Sequence, residues 1–90
     1  MIFRQLFDSS SSTYTYLIAD HNSREAVIID PVFEQTIRDL ALIRELDLKL
    51  VNTVDTHCHA DHVTGAWILK EKTGCQILAS RKIGAANVDV

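Results

Sequence analysis

Little in this 90-residue chain bends the backbone, cross-links it or concentrates charge. It has one proline, three glycines, two cysteines and a formal net charge of −3. Each scarcity excludes something. Without a cluster of Lys and Arg there is no footing for a phosphate backbone, which argues against a nucleic-acid partner. No apolar run approaches the roughly 18 residues of a membrane helix, so no membrane partner is expected. The opening MIFRQLFDSS lacks the apolar stretch and small-residue cleavage site of a secretory leader. Two cysteines are too few for a disulfide framework, and the expected location is cytoplasmic. Cys75, next to Gly74, reads as a small buried apolar residue. His21, alone in a polar stretch, reads as a hydrogen-bonding residue and not as a ligand.

What is present has two periods. Ile2, Phe3, Leu6 and Phe7 suggest one strand, and Tyr14 to Ala19, rich in aromatic and β-branched residues, a second. Between them Ser9 to Ser12 read as a turn whose hydroxyls bond nearby backbone; without adjacent glycines they do not read as a phosphate loop. Asp20 to Arg24 connect to a third strand, Ala26 to Ile29, which stops at Asp30-Pro31. Short connections predict an antiparallel meander.

From Phe33 the period becomes helical. Apolar residues at 33, 37, 40, 43 and 46 predict a helix over 33–46, with Glu34, Gln35, Arg38, Asp39, Arg44 and Glu45 on its other face. Pro31 and Glu34 suit its start, and Asp47 stands where a helix-ending glycine would be usual. Leu48 to Val54 reads as a buried strand, Val63 to Lys72 as a second helix closed by Gly74, and Gln76 to Ala79 as a fifth strand. The order is that of an α/β domain, and the chain is long enough for one small domain only.

Directly after the fourth strand comes THCHADH, residues 56–62. Three of the four histidines in the chain fall within it. Imidazole and carboxylate are ligands for zinc and for non-haem iron. His57 and His59 share one side of an extended chain, and Asp61 and His62 sit where the chain turns toward the next helix. One strand-to-helix turn can thereby begin two adjacent metal sites, at the carboxyl end of a strand where α/β sheets place their ligands. Cys58 points opposite to His57 and His59 and reads as a packed or supporting residue.

H-x-H-x-D-H after an apolar strand, with Asp30-Pro31 closing an earlier one, resembles the metallo-β-lactamase superfamily. FRQLFDSSSSTYTYLIAD, REAVIIDPV, RDLALIRELDLKLV and THCHADHVTGA together resemble the persulfide dioxygenases of the ethylmalonic encephalopathy protein type, over residues 2 to 86. The thioester hydrolase glyoxalase II is the neighbouring alternative. Its motif is typically followed by Gly-Gly, whereas His62 here leads into Val63-Thr64-Gly65-Ala66.

The resemblance implies an αββα sandwich with metal at the edge between two sheets. This chain would be its N-terminal part, a partial domain over 1–90 with a mixed sheet, antiparallel at its start, and two helices. In the dioxygenases it implies one Fe(II) per complete chain, held by two His and one Asp, of which His57 matches the first. His59, Asp61 and His62 would then support the site. In the hydrolases all four would hold metal, as zinc or a dinuclear Zn/Fe pair. The implied substrate is glutathione persulfide, oxidised with O2 to sulfite; a homo-oligomer is compatible with either reading. The remaining ligands come from the later half of that fold. The 90 residues alone are accordingly expected to be inactive and to leave one sheet face apolar and uncovered.

Overall fold

The computed structural model describes residues 1–56 and 65–79. Strands form where β-branched and aromatic residues alternate faces: β1 (Ile2–Asp8), β2 (Thr13–Ala19) and β3 (Glu25–Ile29). Both connections are closed by the same device. An aspartate at the start captures the turn: Asp8 Oδ2 accepts from the N–H and hydroxyl of Ser11, and Asp20 Oδ2 from the N–H of Asn22 and Ser23. A left-handed residue, Ser12 or Arg24, then redirects the chain into the next strand.

After β3 come a 3-10 turn (Phe33–Gln35), helix α1 (Thr36–Glu45), β4 (Lys49–Asp55), α2 (Ala66–Thr73) and β5 (Gln76–Ala79). The five described strands lie in chain order, β1-β2-β3-β4-β5. The first three are antiparallel, and β4 and β5 join in parallel. Each helix is thus a crossover between parallel neighbours. The expected elements are all present; the second helix begins at Ala66, and Val63 and Thr64 lie outside the described residues. No helix among the described residues is long and apolar enough to cross a membrane.

Register sorts the side chains by face. Ala19, Ala26 and Leu50 form one row beneath the helices, and Leu17, Ile28, Thr53 and Ile77 the next. With Ile43, Leu69 and Cys75 they make the core, so Cys75 is buried as its apolar neighbours predicted. The opposite face carries Phe3, Phe7, Tyr14, Tyr16, Ile18, Val27 and Ile29. There Phe7 packs tilted against Tyr14 at 4.8 Å and Phe3 against Tyr16 at 5.8 Å between ring centroids. Phe3, Phe7 and Tyr14 are about half exposed, so this face is apolar and without a cover among the described residues.

Helix α1 departs from the expected pattern. Its buried residues are Thr36, Asp39 and Ile43, while Phe33 is 41% and Ile37 84% exposed. The apolar stripe is therefore rotated, and Asp39, assigned by spacing to the polar face, is 1% exposed. Burial pushes its carboxyl up to about 6, against the opposing pull of Arg38. The helix ends in a Schellman arrangement: Asp47 N–H donates to Arg44 O at 3.1 Å and Leu48 N–H to Ile43 O at 2.9 Å. Asp47 occupies the left-handed position at φ 55°, and Arg24 donates to the carbonyls of Leu46 and Asp47.

Two outcomes follow. Replacing Asp47 with glycine removes the steric cost of that φ and raises stability by about 0.5–1 kcal/mol, seen as a higher urea midpoint at unchanged slope. For Asp39, the folded state keeps its proton up to about pH 6 while the unfolded chain releases it near 3.8. Stability therefore falls as pH rises between those values, by roughly 3 kcal/mol at 1.36 kcal/mol per pKa unit. Asp39→Asn flattens this decline and exceeds the parent chain in stability at neutral pH, measured by denaturation at a series of pH values.

Candidate metal site at the carboxyl edge of the sheet

The parallel strands β3 and β4 end at the same edge, and both deliver an aspartate there. Asp30 follows β3 and Asp55 closes β4. Buried polar residues gather toward this edge. Thr15, Asp30 and Asp55 succeed the apolar rows along the sheet, and Thr36 and Asp39 lie in the first half of α1 above it. The opposite end of the core, around Ala19, Ala26 and Leu50, is apolar. A domain that needed only stability would not concentrate buried polar groups at one end.

His57, Cys58, His59, Asp61 and His62 all lie outside the described residues. The structure shows how the chain reaches and leaves them. On the near side, Thr56 donates its N–H to Asp30 Oδ1 at 2.7 Å and its hydroxyl to Oδ2 at 2.5 Å. Asp30 is itself held on three counts: φ is 53°, its N–H donates to Val54 O at 2.7 Å, and its carbonyl accepts the buried hydroxyl of Thr15 at 2.8 Å. The carboxylate is thus aimed at Thr56 by backbone bonds on both sides, and the residue before His57 is fixed in direction.

On the far side, Gly65 N–H donates to Pro31 O at 2.8 Å. The backbone of Gly65 is ordinary, with φ −73°; what favours glycine here is the close approach of its neighbours. A Cβ would stand 3.0 Å from Thr36 Cγ2, 3.1 Å from Val32 O and 3.2 Å from Pro31 Cβ. Asp30 and Pro31 therefore fasten both ends of the eight residues 57–64. The dipeptide that reads in the sequence as a strand terminator is a clamp. Its signal was the unusual pairing of Asp-Pro with a β-type apolar run, but nothing local pointed to Thr56 as the partner.

Among the described residues no group of three or more His, Cys, Asp or Glu could hold a metal ion. Both oxygens of Asp30 are engaged by Thr56. The donors the sequence offers, His57, His59, Asp61 and His62, are of the types that hold divalent transition metals and lie outside the described residues. The described residues on either side, Thr56 and Gly65, are both tied to the Asp30-Pro31 corner at a sheet edge whose inner side is polar.

Known proteins bear on this arrangement. The chain is 55% identical over 86 residues to the mitochondrial persulfide dioxygenase ETHE1 of Mus musculus, covering 94% of this chain and 34% of that protein. It superposes on the crystal structure of ETHE1 from Myxococcus xanthus with a TM-score of 0.94 and 56% identity, covering all of this chain and 40% of the other. A hydroxyacylglutathione hydrolase of Pseudomonas aeruginosa is 34% identical over 80 residues, 87% of this chain and 31% of that protein. The chain spans about a third of the length of these curated relatives. The family model of the metallo-beta-lactamase superfamily matches residues 10–88, which takes in both clamped ends of the histidine segment and the whole described sheet from β2 onward. By sequence and by fold, this chain belongs to the metallo-β-lactamase superfamily.

Proposed function

We propose that these residues are the N-terminal part, a partial domain over 1–90, of an iron-dependent persulfide dioxygenase acting on glutathione persulfide. The observation that carries the reading is the gap in identity: 55% to the mouse persulfide dioxygenase against 34% to the hydroxyacylglutathione hydrolase. Gly65 supports it locally. Gly65 stands in a seat where a Cβ would crowd Thr36, Val32 and Pro31, and the sequence around it, Val63-Thr64-Gly65-Ala66, lacks the Gly-Gly of the hydrolases.

In this reading His57 is a ligand of a single Fe(II), and His59, Asp61 and His62 orient the site from behind. The second His and the Asp that complete the ligand set belong to the rest of the domain. The iron, when bound, supplies the open coordination positions at which O2 and the persulfide sulfur meet. Overall, glutathione persulfide, O2 and water give glutathione, sulfite and two protons. The terminal sulfur loses four electrons and O2 gains them; the S–S bond breaks, and the glutathione sulfur leaves as the thiol. This chain's share is positional. Asp30 fixes the direction in which Thr56 hands the backbone to His57, and Gly65 returns it to α2. The cytoplasmic placement expected from the sequence belongs to the same proposal. The mouse and human relatives are named mitochondrial, and imaging of the tagged protein decides between the two.

The complete domain should bind one iron per chain and consume O2 with glutathione persulfide. Two metals per chain with thioester hydrolysis would instead establish the hydrolase reading. The 90 residues alone should show no turnover above a metal-only control, as befits a non-catalytic fragment. In the complete domain, Asp30→Ala should lower metal affinity by about 10–100-fold with the sheet intact, the usual scale for losing a group that orients ligands. Metal titration alongside circular dichroism checks it.

A further inference from the structure

We propose that Asp39 is a positioning residue for the histidine loop: it holds Arg38 against β1, and the clamp so formed fixes the segment on which Gly65 sits. This rests on reading the loop as the metal site, although its test does not. The side chain of Asp39 has no exposed surface. Its Oδ1 lies 3.1 Å from both Nε and Nη2 of Arg38, whose Nη1 reaches on to donate to Phe7 O at 3.0 Å. The next residue along β1, Asp8, accepts from Gln35 Nε2 at 2.7 Å. Residues 35 and 38 are thereby both fastened to the end of β1. The opposite flank of the same segment receives Gly65, against Pro31, Val32 and Thr36.

Among the described residues, neither the 3-10 turn nor the start of α1 has a side-chain cap, although Thr36 donates its hydroxyl back to Phe33 O at 3.0 Å. Oδ2 of Asp39 is buried without a hydrogen-bond partner among the described residues. A carboxylate so placed lowers stability when charged, and an apolar residue of its size would pack better. Stability alone therefore does not account for Asp39; tethering Arg38 does. Arg38 is the one charged group that acts on it among the described residues. Asp8 faces the same guanidinium from β1, and its bonds to Gln35 and Ser11 hold its carboxyl below the usual range. When Asp39 takes up a proton, at about pH 6, Arg38 loses its buried anchor while Asp8 keeps its charge. The hold on Phe7 then weakens.

The test is amide hydrogen exchange in the protein carrying the complete domain, with a chelator present. Protection at Gly65 and Ser11 is compared with that at Leu17 and Ile28 in the same sample, which separates loosening of the segment from global opening. Between about pH 7.5 and about pH 5, wild-type protection at Gly65 should fall roughly tenfold, the scale of one charge-assisted hydrogen bond, while Leu17 and Ile28 do not fall and instead follow the rise in global stability that protonation of Asp39 brings. Asp39→Asn and Arg38→Gln should show the lowered value at both pH values. Unchanged Gly65 protection in the variants overturns the proposal, as does a pH response in Asp39→Asn equal to that of wild type. If neither variant folds, the wild-type pH series decides alone, a flat Gly65 profile overturning it. A sample that binds no metal yet shows the coupling refutes the metal reading and keeps the role of Asp39. Metal binding with Gly65 uncoupled does the reverse.

Discussion

The carboxylate of Asp30 accepting both donors of Thr56 is the interaction on which the useful part of this structure depends. It ties the end of β3 to the end of β4 beyond the last ladder bond, where two parallel strands would otherwise splay. It also demands an uncommon backbone. Only with Asp30 left-handed do its N–H meet Val54 O, its carbonyl meet Thr15 and its carboxylate meet Thr56 at once. Aspartate suits the position because it tolerates that conformation better than most residues and brings the acceptor as well. Pro31 then leaves the corner with a fixed φ and offers its carbonyl to Gly65. Five hydrogen bonds and one steric fit, centred on Asp30 and Pro31, frame the histidine segment from residues that precede it by more than twenty positions.

The same economy runs through the chain. Three glycines cannot serve every reversal, and the left-handed positions fall to Ser12, Arg24, Asp30 and Asp47 as well as Gly74. Two of the non-glycine residues do something there that glycine could not: Arg24 donates to the carbonyls of Leu46 and Asp47 just past α1, and Asp30 holds Thr56. Ser12 and Asp47 contribute the backbone conformation alone among the described bonds.

Much of the fold was legible because strands here follow local chemistry. Alternation in Tyr14–Ala19 and the apolar run before Val54 mark β2 and β4 without help from tertiary context, and the order of elements dictated a mixed sheet. The helix was legible as a helix but not in rotation. Phe33 and Ile37 are apolar and belong to the best-fitting stripe, yet they face outward, because the segment that seats Gly65 turns Thr36 and Asp39 toward the sheet. Periodicity counts apolar residues; it cannot know that a polar edge requires polar partners above it. Of the candidate site, the donors are legible as a motif. The supports Asp30, Gly65 and Asp39 are not: Asp30 and Gly65 meet partners distant in sequence, and Asp39 acts through its neighbour Arg38, whose own partner on β1 lies 31 residues earlier.

The strand order has a consequence for how such a protein is made. Because every described strand after β1 pairs with its predecessor in the chain, each can add to an edge already synthesised, with no need to await a later segment. Asp30 is synthesised before Thr56, and Pro31 before Gly65. The upstream half of the frame therefore precedes the histidine segment in synthesis, and the partners that close on it, Val54, Thr56 and then Gly65, arrive from either side of that segment.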